Sequence, residues 1–389
     1  MPEAAIHLHR VLQERGGAAA VARLLARGLA DLRVPVAGSF EVREQDRGAD
    51  HELASGEVAG LIPPGALLHA HGTLDWPALL AGLARRPGPA LLTLHDCAPF
   101  TGGCPYPLDC AAHRTGCPAA CPRNFPATDL VWRAKREMAR SLRPAPVLCL
   151  VAPSRWLAQE AEAAWGLPVR VIPNGVPWPG RVPDKAAAKR AAGLDPAARV
   201  ALFAAHGGRE AAYKAGDRWE WLWEQLRARV PNLAGVMAGG GKTERRGDLL
   251  AFPYLPPERL AAFMAAADVF VYPTLADNHP LVVLEAQSQG CAVAAFAAGG
   301  VPEQVEHQAT GLLARPGDWE GLAAGAAGLL QSPGVARRLG RAAYAAGRAR
   351  FSAERMVDDY LGLYRELLAG SSPRSAESMK ASAASAAGL

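Results

Sequence analysis

Val169-Arg-Val-Ile-Pro-Asn-Gly-Val-Pro-Trp-Pro-Gly-Arg-Val-Pro-Asp184 divides the chain in two. A short apolar run, Val169–Ile172, ends in a stretch that places four prolines and two glycines between Pro173 and Asp184. Proline removes a backbone donor, so no regular element continues through such a stretch. The shift in composition predicts a domain boundary there. On both sides, short apolar runs alternate with helical periodicity, the pattern of parallel strands crossed over by helices.

Upstream, Ala5–Val11, Ala66–Ala70, Ala90–His95, Val147–Ala152 and Val169–Ile172 read as strands, and Ala18–Leu32 carries apolar residues at helical spacing. Ser154 can cap a helix over Arg155–Trp165, with Gly166 just past its end. Downstream, Val200–Ala204, Leu233–Met237, Asp268–Tyr272 and Ala292–Phe296 repeat the strand signal. Asp217–Val230 and Pro280–Gln289 read as helices, the first with Trp219, Leu222, Trp223 and Leu226 on one core-packing face. Near the end, Ser352 caps a helix stapled by Phe351 and Met356, on which Met356, Tyr360, Tyr364 and Leu368 share a face. The expected organisation is α/β: two doubly wound, Rossmann-like domains over 1–172 and 173–350. A terminal helix over 351–370 returns toward the first domain, and a disordered tail follows over 371–389. Ligands of open α/β sheets sit beyond the carboxyl ends of the strands, so the site is expected between the two sheets.

The bulk numbers narrow the field. A chain of 389 residues suits about two domains. With 50% hydrophobic residues it can bury a sizeable core. Its 42 basic and 37 acidic residues, a formal net charge of +5, give no sign of a nucleic-acid partner. Without a signal-peptide pattern or an apolar stretch of about 18 residues, the expectation is a soluble, cytoplasmic chain.

Chemistry concentrates in four places. In Ala276-Asp-Asn-His-Pro-Leu-Val-Val-Leu-Glu285, two acids stand eight positions apart across a loop-to-helix junction. If Pro280 opens the helix, the amides of Leu281 and Val282 offer an anion site suited to a diphosphate. Glu285, more than a turn further in, could accept from a pair of ribose hydroxyls; on spacing alone, a helix cap and a solvated acid account for both residues. In Ala204-Ala-His-Gly-Gly-Arg209-Glu-Ala-Ala-Tyr-Lys214, two cations follow a strand and could neutralise a departing diphosphate, or simply be solvated. Cys104, Cys110, Cys117 and Cys121 crowd one Pro- and Gly-rich loop, with Cys97 just upstream. Four thiolates could hold one tetrahedral zinc; disulfides, free thiols and an iron–sulfur cluster are the alternatives. Trp132–Arg143 is a basic helical segment, suited either to anionic lipid or acceptor phosphate or to a solvated face.

Taken together, Arg209-x4-Lys214, Gly239–Gly241, Asp277-x7-Glu285 and Gly299-Gly-Val-Pro-Glu303 resemble, in order and spacing, the donor domain of retaining GT-B glycosyltransferases of family four. Leu94-His-Asp-Cys-Ala-Pro-Phe-Thr-Gly-Gly-Cys104 and Val151-Ala-Pro-Ser-Arg-Trp156 are similar to a bacterial polysaccharide-type branch with a cysteine-rich loop, here 97–121. The resemblance implies a GT-B fold and transfer of a sugar, with retention and without a catalytic metal, from a UDP- or GDP-sugar. The acceptor it implies is a hydroxyl, free or lipid-linked, met by a cytoplasmic enzyme, free or peripheral at the inner membrane face. It further implies that Glu285 holds the ribose and that Asp277 lies near the transferred sugar. Arg209 and Lys214 grip the diphosphate, and Gly239, Asn278, Leu281 and Val282 line the donor site. Gly16 and Gly17 give the close glycine turn after the first strand. His95 contacts the donor sugar, although alone it reads as a strand-end histidine bonded to backbone. Two departures stand out: Asp277 is one methylene shorter than the family glutamate, and Ala215 occupies the place where the family usually has glycine after the lysine. A sugar-nucleotide epimerase and an inactive sugar-nucleotide-binding scaffold are the competing readings.

Overall fold

The computed structural model describes residues 6–45, 50–63, 65–86, 88–142, 148–205 and 212–370. The chain divides into two compact units, one of Met1–Ile172 joined by the segment from Met356 onward, the other of Pro173–Arg355. The expected tail, 371–389, lies outside the described residues, as does Arg209.

The first unit is a seven-stranded parallel sheet: β1 Ile6–Leu12, β2 Val36–Val42, β3 His51–Glu52, β4 Leu67–Ala70, β5 Ala90–Thr93, β6 Leu148–Ala152 and β7 Val169–Val171, in the order β3-β2-β1-β4-β5-β6-β7. The central strands β4 and β5 are buried at every position, which is why they read as continuous apolar runs. Helix Arg155–Trp165 begins where Ser154 accepts from the Leu157 amide and ends at Gly166, left-handed at φ 63°.

Helix Ala353–Gly370 belongs to this unit from Met356 on. Met356, Tyr360 and Tyr364 are almost wholly buried, whereas Leu368 is only half-buried. The tyrosine hydroxyls add polar contacts to this apolar packing. Tyr364 meets His69 Nδ1 at 2.6 Å, and Tyr360 meets the Thr93 hydroxyl at 2.9 Å, itself 2.7 Å from His69 Nε2.

The second unit is another seven-stranded sheet: β8 Arg199–Ala204, β9 Leu233–Ala238, β10 Glu244–Arg246, β11 Leu249–Phe252, β12 Val269–Tyr272, β13 Ala292–Phe296 and β14 Gly311–Ala314, in the order β10-β11-β9-β8-β12-β13-β14. Only the β10–β11 edge pair is antiparallel. Trp219, Leu222, Trp223 and Leu226 are all buried, and Trp219 stacks on Phe203 at 4.8 Å, so this stripe is core. The strand order reverses direction between β1 and β4 in the first unit and between β8 and β12 in the second. Such switch points are where open α/β sheets leave a crevice beyond their carboxyl ends.

Candidate functional site

At the switch point of the second unit, the loops after β8 and β12 are tied together by backbone. The Tyr213 carbonyl accepts from the Leu275 amide at 2.8 Å and from the Thr274 hydroxyl at 3.1 Å. That tie carries the next residue, Lys214, onto Asp277, 63 positions away in sequence. The Lys214 ammonium and the Tyr272 hydroxyl both reach Asp277 Oδ2, while Oδ1 accepts from the Asn278 amide at 2.8 Å. The ammonium also stands 5.6 Å from the Tyr272 ring centroid. Asp277 and Asn278 are buried, and Lys214 is half-buried.

Ala215 is left-handed at φ 51°, the conformation that suits a glycine, and so keeps the turn at a cost of about 1–2 kcal/mol. Across the site, Gly299 and Gly300 come edge-on to Asp277: the Gly300 amide donates to the Asp277 carbonyl at 3.0 Å. A Cβ on Gly299 would stand 2.0 Å from that oxygen, and φ there is +56°. Only glycine fits.

Pro280 precedes helix Leu281–Ser288, whose first amides, Leu281 and Val282, have no carbonyl of an earlier turn to donate to. The junction is braced from beneath. Asn174 Nδ2 donates to the His279 carbonyl at 3.0 Å, Gln304 Nε2 meets His279 Nδ1 at 3.0 Å, and Gln287 donates to the Gln304 carbonyl at 2.8 Å. Burial pushes His279 down to about 3, so it is neutral. Glu285 lies on this helix. Burial pushes its carboxyl up to about 7, and among the described residues nothing pairs with it. Gly239, at the end of β9 with φ 108°, turns its amide toward the Phe252 carbonyl at 3.2 Å.

The other expected residues belong to the first unit. Gly16 sits at φ 85° and ψ 160°, a region open essentially to glycine, and opens helix Gly17–Asp31; a Cβ on Gly17 would meet nothing within 4 Å. His95 Nε2 is 3.0 Å from His71 Nδ1, and the His71 ring lies 4.0 Å from that of His69. Burial drives all three histidines below the usual imidazole range, His95 to about 4. Next to His95, burial raises Asp96 to about 6 and lowers Lys135 to about 8. Lys135 corrects the expectation for the basic segment: on helix Thr128–Ser141 it turns inward and donates to the carbonyls of Ala98 at 2.7 Å and Thr101 at 3.2 Å. Trp132 is buried too, and Arg143 lies outside the described residues.

Tyr272, His71 and Asp96 escaped the sequence reading. Tyr272 and Asp96 follow from standing at or just past strand ends, whereas His71 needs the β4–β5 pairing.

Comparison with known proteins bears on the family and the fold. Residues 222–346 match the model of the family described as glycosyl transferases group 1. A D-inositol 3-phosphate glycosyltransferase from Segniliparus rotundus is 33% identical over 224 residues, covering 52% of this chain and 48% of that protein. The chain thus spans about half the length of the curated relatives it matches. Among solved structures, sucrose-phosphate synthase from Thermosynechococcus elongatus superposes with TM-score 0.67 at 20% identity, over 94% of this chain and 99% of that one. Anabaena HepE in complex with UDP gives TM-score 0.69 at 18% identity, over 93% and 100%. Residues 222–346 thus match the glycosyl transferases group 1 family, and the chain has a GT-B fold.

Proposed function

We propose that this chain is a retaining glycosyltransferase that moves a hexosyl group from a nucleotide-diphosphate sugar to a hydroxyl acceptor, in polysaccharide or glycolipid synthesis. One observation supports the reading: Lys214 pairs with Asp277 across the loops after β8 and β12, the chain runs from Asp277 into helix Leu281–Ser288, and Glu285 on that helix carries a carboxyl with no partner among the described residues. A diphosphate at the helix end takes up Lys214, which in the free protein spends its charge on Asp277, and Arg209 from the same loop adds a second cation. Glu285 then receives the ribose hydroxyls. As the sugar leaves, these groups stabilise the growing negative charge on the diphosphate. The diphosphate takes the proton of the acceptor hydroxyl, which attacks from the same face. Because the neighbours HepE and HepE with UDP-glucose carry uridine nucleotides, UDP is the first nucleotide to try.

The test is a panel of UDP-, GDP- and ADP-sugars read by thermal shift and by slow donor hydrolysis. One base should raise the melting temperature, and the matching donor should release its nucleoside diphosphate. Stabilisation without consumption of any donor, across a broad acceptor panel, would instead support a sugar-nucleotide-binding scaffold.

A further inference from the structure

The cysteine loop takes no part in that chemistry, yet its sulfurs are gathered. Cys104, Cys110, Cys117 and Cys121, four residues spread over 18 positions, line one cavity of about 20 Å³, room for a single water-sized or ion-sized occupant. None of the seven cysteines is in a disulfide. Two of the four sulfurs already accept hydrogen bonds from backbone: the Gly102 amide points to Cys117 and the Arg123 amide meets Cys121 Sγ at 3.4 Å. Backbone amides of this kind orient sulfur ligands and support them once a metal is bound. His113 also lines the cavity but is committed elsewhere, Nδ1 to the Cys110 carbonyl at 3.2 Å and Nε2 to Glu160 at 2.9 Å.

We infer that Cys104, Cys110, Cys117 and Cys121 form an all-thiolate site for one structural zinc ion. The donor chemistry fits: four soft ligands, with no carboxylate among the residues lining the cavity, select zinc over magnesium or calcium. As the side chains stand, no three His, Cys, Asp or Glu groups among the described residues form a ready ligand set. Closing it takes side-chain rotation, and Cys104 must release the Tyr106 carbonyl that its thiol meets at 3.0 Å. The four thiol protons leave to solvent as the ion binds.

The loop gives the metal a task. Between β5 and helix Thr128–Ser141 the only regular elements are two three-residue turns, Ala98–Phe100 and Ala112–Arg114. The margins are fastened, by Lys135 to Ala98 and by the Trp132 indole to the His113 carbonyl at 2.8 Å. Beyond His113, no residue from Arg114 to Ala127 is buried, and a four-ligand ion fastens that stretch without an open coordination position.

Elemental analysis of the full chain, purified under reducing conditions without chelator, should find about one zinc per molecule. Replacement by cobalt should give the thiolate charge-transfer and d–d bands of a tetrahedral sulfur site. Cys117→Ser and Cys121→Ser should lose both, while Cys149→Ser, on β6, keeps both. If the serine variants fail to fold, the cobalt spectrum of the unaltered chain still decides the matter. Zinc well below one per chain after incubation with excess metal overturns the site. Full zinc in Cys117→Ser does the same, as does mass-spectrometric proof of a disulfide among the four.

Discussion

Glu285 offers the sharpest test of the donor site, because its charge and its proposed task make separate predictions. Burial lifts its carboxyl from an ordinary 4.5 to about 7. The ionised form is the stronger acceptor for two ribose hydroxyls, and with a pKa near 7 roughly a tenth of the carboxyl is ionised at pH 6 and nine tenths at pH 8. Nucleotide affinity should therefore rise over that interval by up to about tenfold, close to 1.4 kcal/mol. Stability should move the other way. A carboxyl whose folded pKa exceeds its unfolded value holds extra protons in the folded state. The chain then loses stability as pH rises from about 4.5 to 7, by at most about 3 kcal/mol and less where water reaches the group. Glu285→Gln removes both slopes. Titration calorimetry with UDP, or with whichever base the panel selects, and urea midpoints would be measured from pH 5.5 to 8.5 on both proteins. Subtracting the variant cancels the ionisation of the nucleotide's own phosphates. Identical pH dependence of affinity in the two proteins would refute the ribose contact. If the stability difference persisted without an affinity difference, the carboxyl would be buried and titrating but outside the ligand.

Three further substitutions test other parts of the structure. Lys214→Ala should lower turnover about 100-fold, the effect of deleting one preorganised charge contact, and steady-state rates near those of the parent would remove Lys214 from the diphosphate. Gly299→Ala should cost about 2–4 kcal/mol in urea denaturation, since φ +56° disfavours a side chain and its Cβ would lie 2.0 Å from the Asp277 carbonyl oxygen. Tyr364→Phe strips the buried His69 Nδ1 of its partner and should cost about 1–3 kcal/mol; an unchanged midpoint would mean that the terminal helix is held by apolar packing alone.

What the sequence made legible was local. Helix Arg155–Trp165 carried its start and stop in Ser154 and Gly166, and Ala292–Phe296 was a five-residue apolar run that is a buried strand at every position. The Pro-rich stretch from Pro173 marks where the two compact units divide. Strand β2 escaped notice because Gly38 and Ser39 interrupt its apolar residues, and several of its positions are half-exposed. Helix Trp76–Arg85 was hidden by Pro77, which looks like a breaker but sits in the first turn, where its missing amide costs nothing. Lys135 was misjudged because a charge on a basic helix says nothing of which way it faces; two loop carbonyls turn it inward. The pairing of Lys214 with Asp277 and of His71 with His95 depends on which strands are neighbours, and no local spacing encodes that.

The two switch points are built with opposite electrostatics, and this bears on how the work is divided. In the first unit the strand ends carry His69, His71 and His95, all pushed by burial well below the usual imidazole range, His95 to about 4, with Asp96 beside them. An anion gains no Coulomb energy from neutral imidazoles, whereas hydroxyl groups find donors and acceptors there. In the second unit the strand ends carry a lysine paired with Asp277, an open helix start and, in Glu285, an acid with no partner among the described residues. That end can receive negative charge and, through Glu285, a diol. Under the proposed function the nucleotide diphosphate therefore belongs to the second unit and uncharged sugar hydroxyls to the first. Near neutral pH, Glu285 is then the group through which pH acts on nucleotide binding. These three histidines stay neutral across this range, while Asp96 beside them ionises around pH 6 and Lys135 loses its proton around pH 8.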